Sequence, residues 1–118
     1  MPSRPDKDML KALEAFDAAA EQLARVVEET RKSNSRFTAA YHAGESVLAS
    51  LQLARSTAMR IGLAEAIEDM EMARRRARGH LLLVGRGDGE NVTALARALG
   101  ISRQLAYRSM DDVSPPEG

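Results

Sequence analysis

The stretch NVTALARALGISRQLAYRSMD, residues 91–111, has nearly every position set by the needs of two short helices crossed over a tight turn. Asn91 is a good N-cap for a helix starting at Val92, because its side-chain oxygen can accept from a free first-turn amide. Leu95 and Leu99, four apart, share one face. Gly100 can take positive φ, which stops the first helix so that the next starts about three residues later. Ser102 is placed to cap that second helix. A steep crossing so near the turn leaves no room for a large side chain, which accounts for Ala96, while Ile101 and Ala106 plug the small core. Arg103, Gln104, Tyr107 and Arg108 are left exposed on the second helix.

The segment LARALGISRQLAYR resembles the helix-turn-helix of bacterial transcription regulators, in which Leu95, Ala96, Leu99, Gly100, Ile101, Ser102, Arg103, Tyr107 and Arg108 are the usual types. The likeness is confined to this C-terminal motif. It implies that the second helix lies in a major groove with its N-terminal residues against base edges. By that resemblance the DNA contacts are Ser102, Arg103 and Gln104 at bases and Tyr107 and Arg108 at bases or phosphates, with Thr93 and Arg97 added from the first helix. Arginine suits guanine O6/N7 and glutamine suits adenine N6/N7. Ala106 departs from the family's larger Val, Ile or Leu, so a residue from outside the motif is expected to fill the space. The alternative is a helical interaction or architectural protein whose C-terminal hairpin binds a protein partner or DNA nonspecifically.

The rest of the chain limits what else is possible. With 118 residues it has one domain's worth of protein, and only two Phe, two Tyr and no Trp to fill a core. Its abundant alanine favours helices that pack closely. Cysteine is absent, which excludes disulfides and thiolate metal sites. His42 and His80 stand alone and form no ligand cluster, so no metal or other cofactor is expected. No apolar run is long enough to span a bilayer, and no signal-peptide core is seen at the N-terminus; a cytoplasmic, nucleoid-associated protein is expected. Arginine outnumbers lysine fourteen to three, which with the alanine suggests a GC-rich bacterial genome.

A formal net charge of zero hides a strong division. Residues 1–73 hold nine Lys/Arg against twelve Asp/Glu, a balance of −3, whereas residues 74–108 hold eight Arg against Asp88 and Glu90, a balance of +6. The tail adds Asp111, Asp112 and Glu117. Basic charge is thus concentrated around the motif, as attraction to phosphate requires.

Ahead of the motif, residues 1–6 read as a disordered lead with Asp6 as N-cap. Met9, Leu13, Phe16, Ala20, Leu23, Val27 and Thr30 then recur at alternating steps of four and three, a heptad stripe. Such a stripe pairs either within the chain or with its copy; a homodimer seam through Met9, Leu13, Phe16, Ala20, Leu23 and Val27 is the expectation. Ser33, Asn34 and Ser35 weaken the helix, Phe37 and Tyr41 keep its phase, and Gly44 stops it. Ser46 can cap a new segment carrying Val47, Leu48, Leu51 and Leu53. The Gly-Glu-Ser-Val here echoes Gly-Glu-Asn-Val at 89–92, at most as a similar helical elbow. A third helix is expected from about Thr57 to Val84, with Glu71 and Arg75 as an i, i+4 pair and Arg74, Arg75, Arg76 and Arg78 as a basic cluster. GRGDG, residues 85–89, reads as a flexible connection; it has no Gly-Lys-Ser/Thr to follow it as a phosphate loop would. The tail after Met110 should be loose.

No local arrangement of nucleophile, base or paired carboxylates supports catalysis, and the scarcity of exposed aromatics argues against RNA as the main target. The expectation is an all-α protein: a helical dimerisation region over 7–54, a helix over 55–84 leading to the motif, a helix-turn-helix region over 85–113, and a disordered tail over 114–118. Its expected partner is double-stranded DNA, read by a dimeric bacterial transcriptional regulator at half-sites roughly 34 Å apart. Nothing in the sequence identifies a small-molecule effector.

Overall fold

The structure, a computed structural model, describes residues 5–114 and is all-helical. Its five helices are α1 (Pro5–His42), α2 (Val47–Ala54), α3 (Ser56–Gly87), α4 (Val92–Leu99) and α5 (Arg103–Val113), with no strand among the described residues. The helix starts at Ser46, Asn91 and Ser102 fall where the sequence places them. Each of these side chains accepts from a first-turn amide: Ser46 from Ala49, Asn91 from Thr93 and Ala94, Ser102 from Leu105.

The repeated Gly-Glu-cap-Val is a repeated elbow. Gly44 and Gly89 both take positive φ, at 101° and 92°. After α1, Gly44 N–H donates to Tyr41 O and Glu45 N–H to Ala40 O; after α3, Gly89 N–H donates to Arg86 O and Glu90 N–H to Gly85 O. This paired bonding satisfies the last carbonyls of a helix, and the left-handed residue it needs is cheapest as glycine. The end of α2 uses the same conformation without glycine: Arg55 sits at φ 56°, ψ 42°.

Three expectations change. The first helix already includes Pro5 and Asp6, so Asp6 lies in the first turn and does not precede it; proline is well suited to that position because it lacks the amide that would go unbonded. Residues 85–87 are the last turn of α3, and only Asp88–Asn91 connect it to α4, so 85–89 is not a free connection. Ser114 is the cap of α5, with its N–H and its hydroxyl both donating to Met110 O. The remainder of the expected lead and tail, residues 1–4 and 115–118, lies outside the described residues.

Packing divides the chain into two compact units, one of residues up to Asp17 together with those from Glu71 on, the other Ala18–Met70. The boundaries fall inside α1 and α3, not at the loops. In the Ala18–Met70 unit the buried positions are small: Ser33, Ser50, Ala54 and Ala66. Ser33, which by local pattern weakens α1, donates its hydroxyl to Ala54 O at 2.8 Å and so satisfies an end carbonyl of α2. Ser50 is fully buried with no hydrogen-bond partner for its hydroxyl among the described residues. Ser50→Ala removes that uncompensated desolvation and should raise unfolding stability by about 1 kcal/mol, read as a higher midpoint in thermal denaturation.

Candidate nucleic-acid interface

The C-terminal unit is built on the last turns of α3. Leu82, with no exposed surface, joins Val92 and Ala96 of α4 and Ala106 and Met110 of α5 in one buried cluster, with Leu83, Leu95 and Ile101 packed against it. Leu82, from outside the motif, thus shares the buried cluster with the small Ala106. Leu99 differs from its expected place: at the end of α4 it is 38% exposed and lines a shallow apolar groove with Met9, Leu81 and Val84. Gly100 takes φ 72°, its N–H donates to Arg97 O, and Ile101 N–H donates to Ala96 O, which closes the turn between α4 and α5.

Two glycines allow close packing here. A Cβ on Gly79 would collide with Ser109 O and lie 2.8 Å from a Val113 methyl; one on Gly85 would lie 2.8 Å from Leu95 Cδ1. Gly79 thus sets how closely α3 and α5 approach. Beside it, Arg78 Nε donates to Ser109 Oγ at 3.0 Å, and Ser109 Oγ donates to Leu105 O at 2.7 Å. Burial, reinforced by Arg74 and Arg75, holds the Arg78 pKa below its ordinary value. Arg78 is therefore committed to joining α3 to α5.

The remaining arginines of the cluster are arranged differently from the expected i, i+4 pair. Glu71 is bound by Arg74, 2.8 Å from its Nη2, and Arg75 Nε donates to the Glu71 backbone carbonyl at 3.4 Å. The Arg74 hydrogen bond holds the Glu71 carboxyl below the usual carboxylate range, with Arg75 and Arg78 adding to the effect against some desolvation. This pair is intact at neutral pH and is lost only as pH falls through the lowered Glu71 value. Arg76 is exposed beside a cavity of about 590 Å³ that is also lined by Asp8, Lys11, His80 and Asp112.

With one side of α5 buried through Ala106, Ser109 and Met110, the opposite side presents Arg103, Gln104, Tyr107 and Arg108 together. Arg103 lies over the Tyr107 ring, its guanidinium carbon 5.6 Å from the centroid, a cation–π contact that steadies both side chains. Ser102 is exposed but its oxygen accepts from Leu105 N–H, which leaves its hydroxyl hydrogen to donate. Thr93 and Arg97 share the exposed face of α4, four residues apart. The residue missed by sequence reasoning is Asp111, which lines a shallow depression with Gln104, Tyr107 and Arg108. Its i+4 relation to Tyr107 was a usable signal. Charge therefore runs from basic at the start of α5 to acidic at its end, where Asp111 is followed by Asp112.

The expected dimer-seam residues Met9, Leu13, Phe16, Ala20 and Leu23 are half-buried within the single chain, and Val27 is 42% exposed. No group of three or more His, Cys, Asp or Glu residues is placed to hold a metal among the described residues, and no described helix is long and apolar enough to cross a membrane. Comparison with protein-family models, curated proteins and solved structures finds no match to this chain.

Leu82→Ala should open a cavity under both short helices and cost 2–5 kcal/mol, a range typical of fully buried leucines that depends on how far the site collapses; about 3 kcal/mol is expected here. Chemical denaturation checks the figure.

Proposed function

We propose that this protein binds double-stranded DNA sequence-specifically, with α5 in a major groove, as a transcriptional regulator of the bacterial helix-turn-helix type. The observation that carries the reading is the exposed side of α5. Arg103, Gln104, Tyr107 and Arg108 stand together there on a helix whose other side is locked onto α3 and α4.

The groups fit the chemistry of base edges. Arg103 and Gln104 occupy the first turn of α5, the end that docks deepest in such complexes, and each has the paired donor or donor–acceptor geometry that discriminates guanine or adenine. The positive end of the helix dipole and Arg103 favour approach to the polyanion at this end, while Asp111 and Asp112 disfavour it at the other. Thr93 and Arg97 on α4 are suited to phosphate, which fixes register without reading sequence. A regulator of this kind works in the cytoplasm, on the nucleoid. The rival use of the same surface is contact with a protein.

Arg103→Ala and Gln104→Ala separate these uses. Each should lower affinity for a selected site by 10- to 100-fold, about 1–3 kcal/mol, and relax preference at one base pair. Arg97→Ala should instead weaken binding evenly across sequences and reduce the salt slope by about one. Fluorescence anisotropy titrations on matched and mutated duplexes measure both effects. Unchanged affinity and selectivity in the α5 variants, with helical content retained, would remove α5 as the reading element.

A further inference from the structure

The second helix carries a different kind of surface. From Ser46 to Ala54 there is no charged residue, and the run is bounded by Glu45 and Arg55. Ser50 and Ala54 turn inward, while Val47, Leu48 and Leu51 are 54%, 65% and 41% exposed. These three fall within about 100° of one another around the helix, so they form one apolar face. Leu48 and Leu51 continue into a concavity of about 510 Å³ at the elbow to α3, shared with Gln52, Arg55 and Thr57.

Three observations identify what covers this face. Its exposed apolar surface comes to roughly 300 Å² per chain, the size of the largest apolar patch on a typical monomer, which is often functional, and it would supply the apolar centre of an interface of about 800 Å² per partner. The charges at its ends are of opposite sign, so the face is complementary to itself when reversed. Lastly, Arg55 occupies a left-handed position, while the turns after α1, α3 and α4 give that conformation to Gly44, Gly89 and Gly100. A guanidinium is thereby placed at the rim of the concavity beside Leu48 and Leu51.

We propose that a second copy of the chain docks here, the two α2 helices packing antiparallel across a two-fold axis so that Glu45 of each copy meets Arg55 of the other. Glu45 and Arg55 flank opposite ends of α2, whose eight residues span about 12 Å, so they cannot pair within a chain. The contact is isologous and closes at two copies. It assigns the dimer to α2 in place of the α1 stripe, and it does not rest on the DNA-binding reading.

Sedimentation equilibrium of the full chain without DNA tests it. The expected mass is twice 12.8 kDa at micromolar concentration. Leu48→Glu with Leu51→Glu should raise the dissociation constant at least about 100-fold with unchanged helical circular dichroism, since both side chains are already exposed. Glu45→Arg or Arg55→Glu alone should weaken association about tenfold, and the two together should restore it. A single-chain mass at every concentration overturns the proposal and leaves the face to a different protein. So does an unweakened dimer in the double leucine variant, or a charge reversal without recovery. Because no readout involves DNA, loss of the dimer and loss of DNA binding are separate results.

Discussion

The burial of Leu82 among Val92, Ala96, Ala106 and Met110 is the interaction on which the C-terminal unit depends. Two helices of eight and eleven residues are too short to hold themselves in water, because helix nucleation is costly and their own hydrogen bonds are few. Their stability comes from packing on α3. The small residues follow from this: Ala96 and Ala106 admit Leu82, Gly79 lets the α5 backbone approach α3, and Gly85 makes room for Leu95. Arg78 adds a polar tie through Ser109 to Leu105 O. One side of α5 is fixed by these contacts, and that is why its other side can present four polar side chains in a set arrangement.

Local chemistry was readable in the sequence wherever it depends on neighbours a few residues apart. The caps Ser46, Asn91 and Ser102, the stops at Gly44 and Gly100, and the all-α class all follow from short-range rules. The need for an outside residue above Ala106 was also visible, although not that Leu82 supplies it. What was hidden depends on distant partners. Ser33 looks like a helix weakener until its acceptor, Ala54 O, is known, 21 residues away. Arg78 looks like part of a solvated basic face until Ser109 is found 31 residues on. Gly85 reads as flexibility in GRGDG because glycine serves both turns and close packing, and composition cannot distinguish them.

The two units differ in the largest side chains they enclose. The C-terminal unit buries Leu82 and Met110 among alanines and Ser109. In the Ala18–Met70 unit serine and alanine are enclosed while Val47, Leu48, Leu51 and Leu53 are exposed. A contiguous group of exposed apolar side chains on a short helix is the usual mark of an interaction surface. Charge is divided along similar lines: the strongly basic segment, residues 74–108, lies wholly in the C-terminal unit, where phosphate attraction would act.

Selection from a pool of random DNA duplexes at two salt concentrations decides whether α5 reads sequence. One motif should be enriched, with affinity for it falling as salt rises because counterions are released from the phosphates. Absence of binding at either salt, by a protein whose helical content is intact, would contradict that reading.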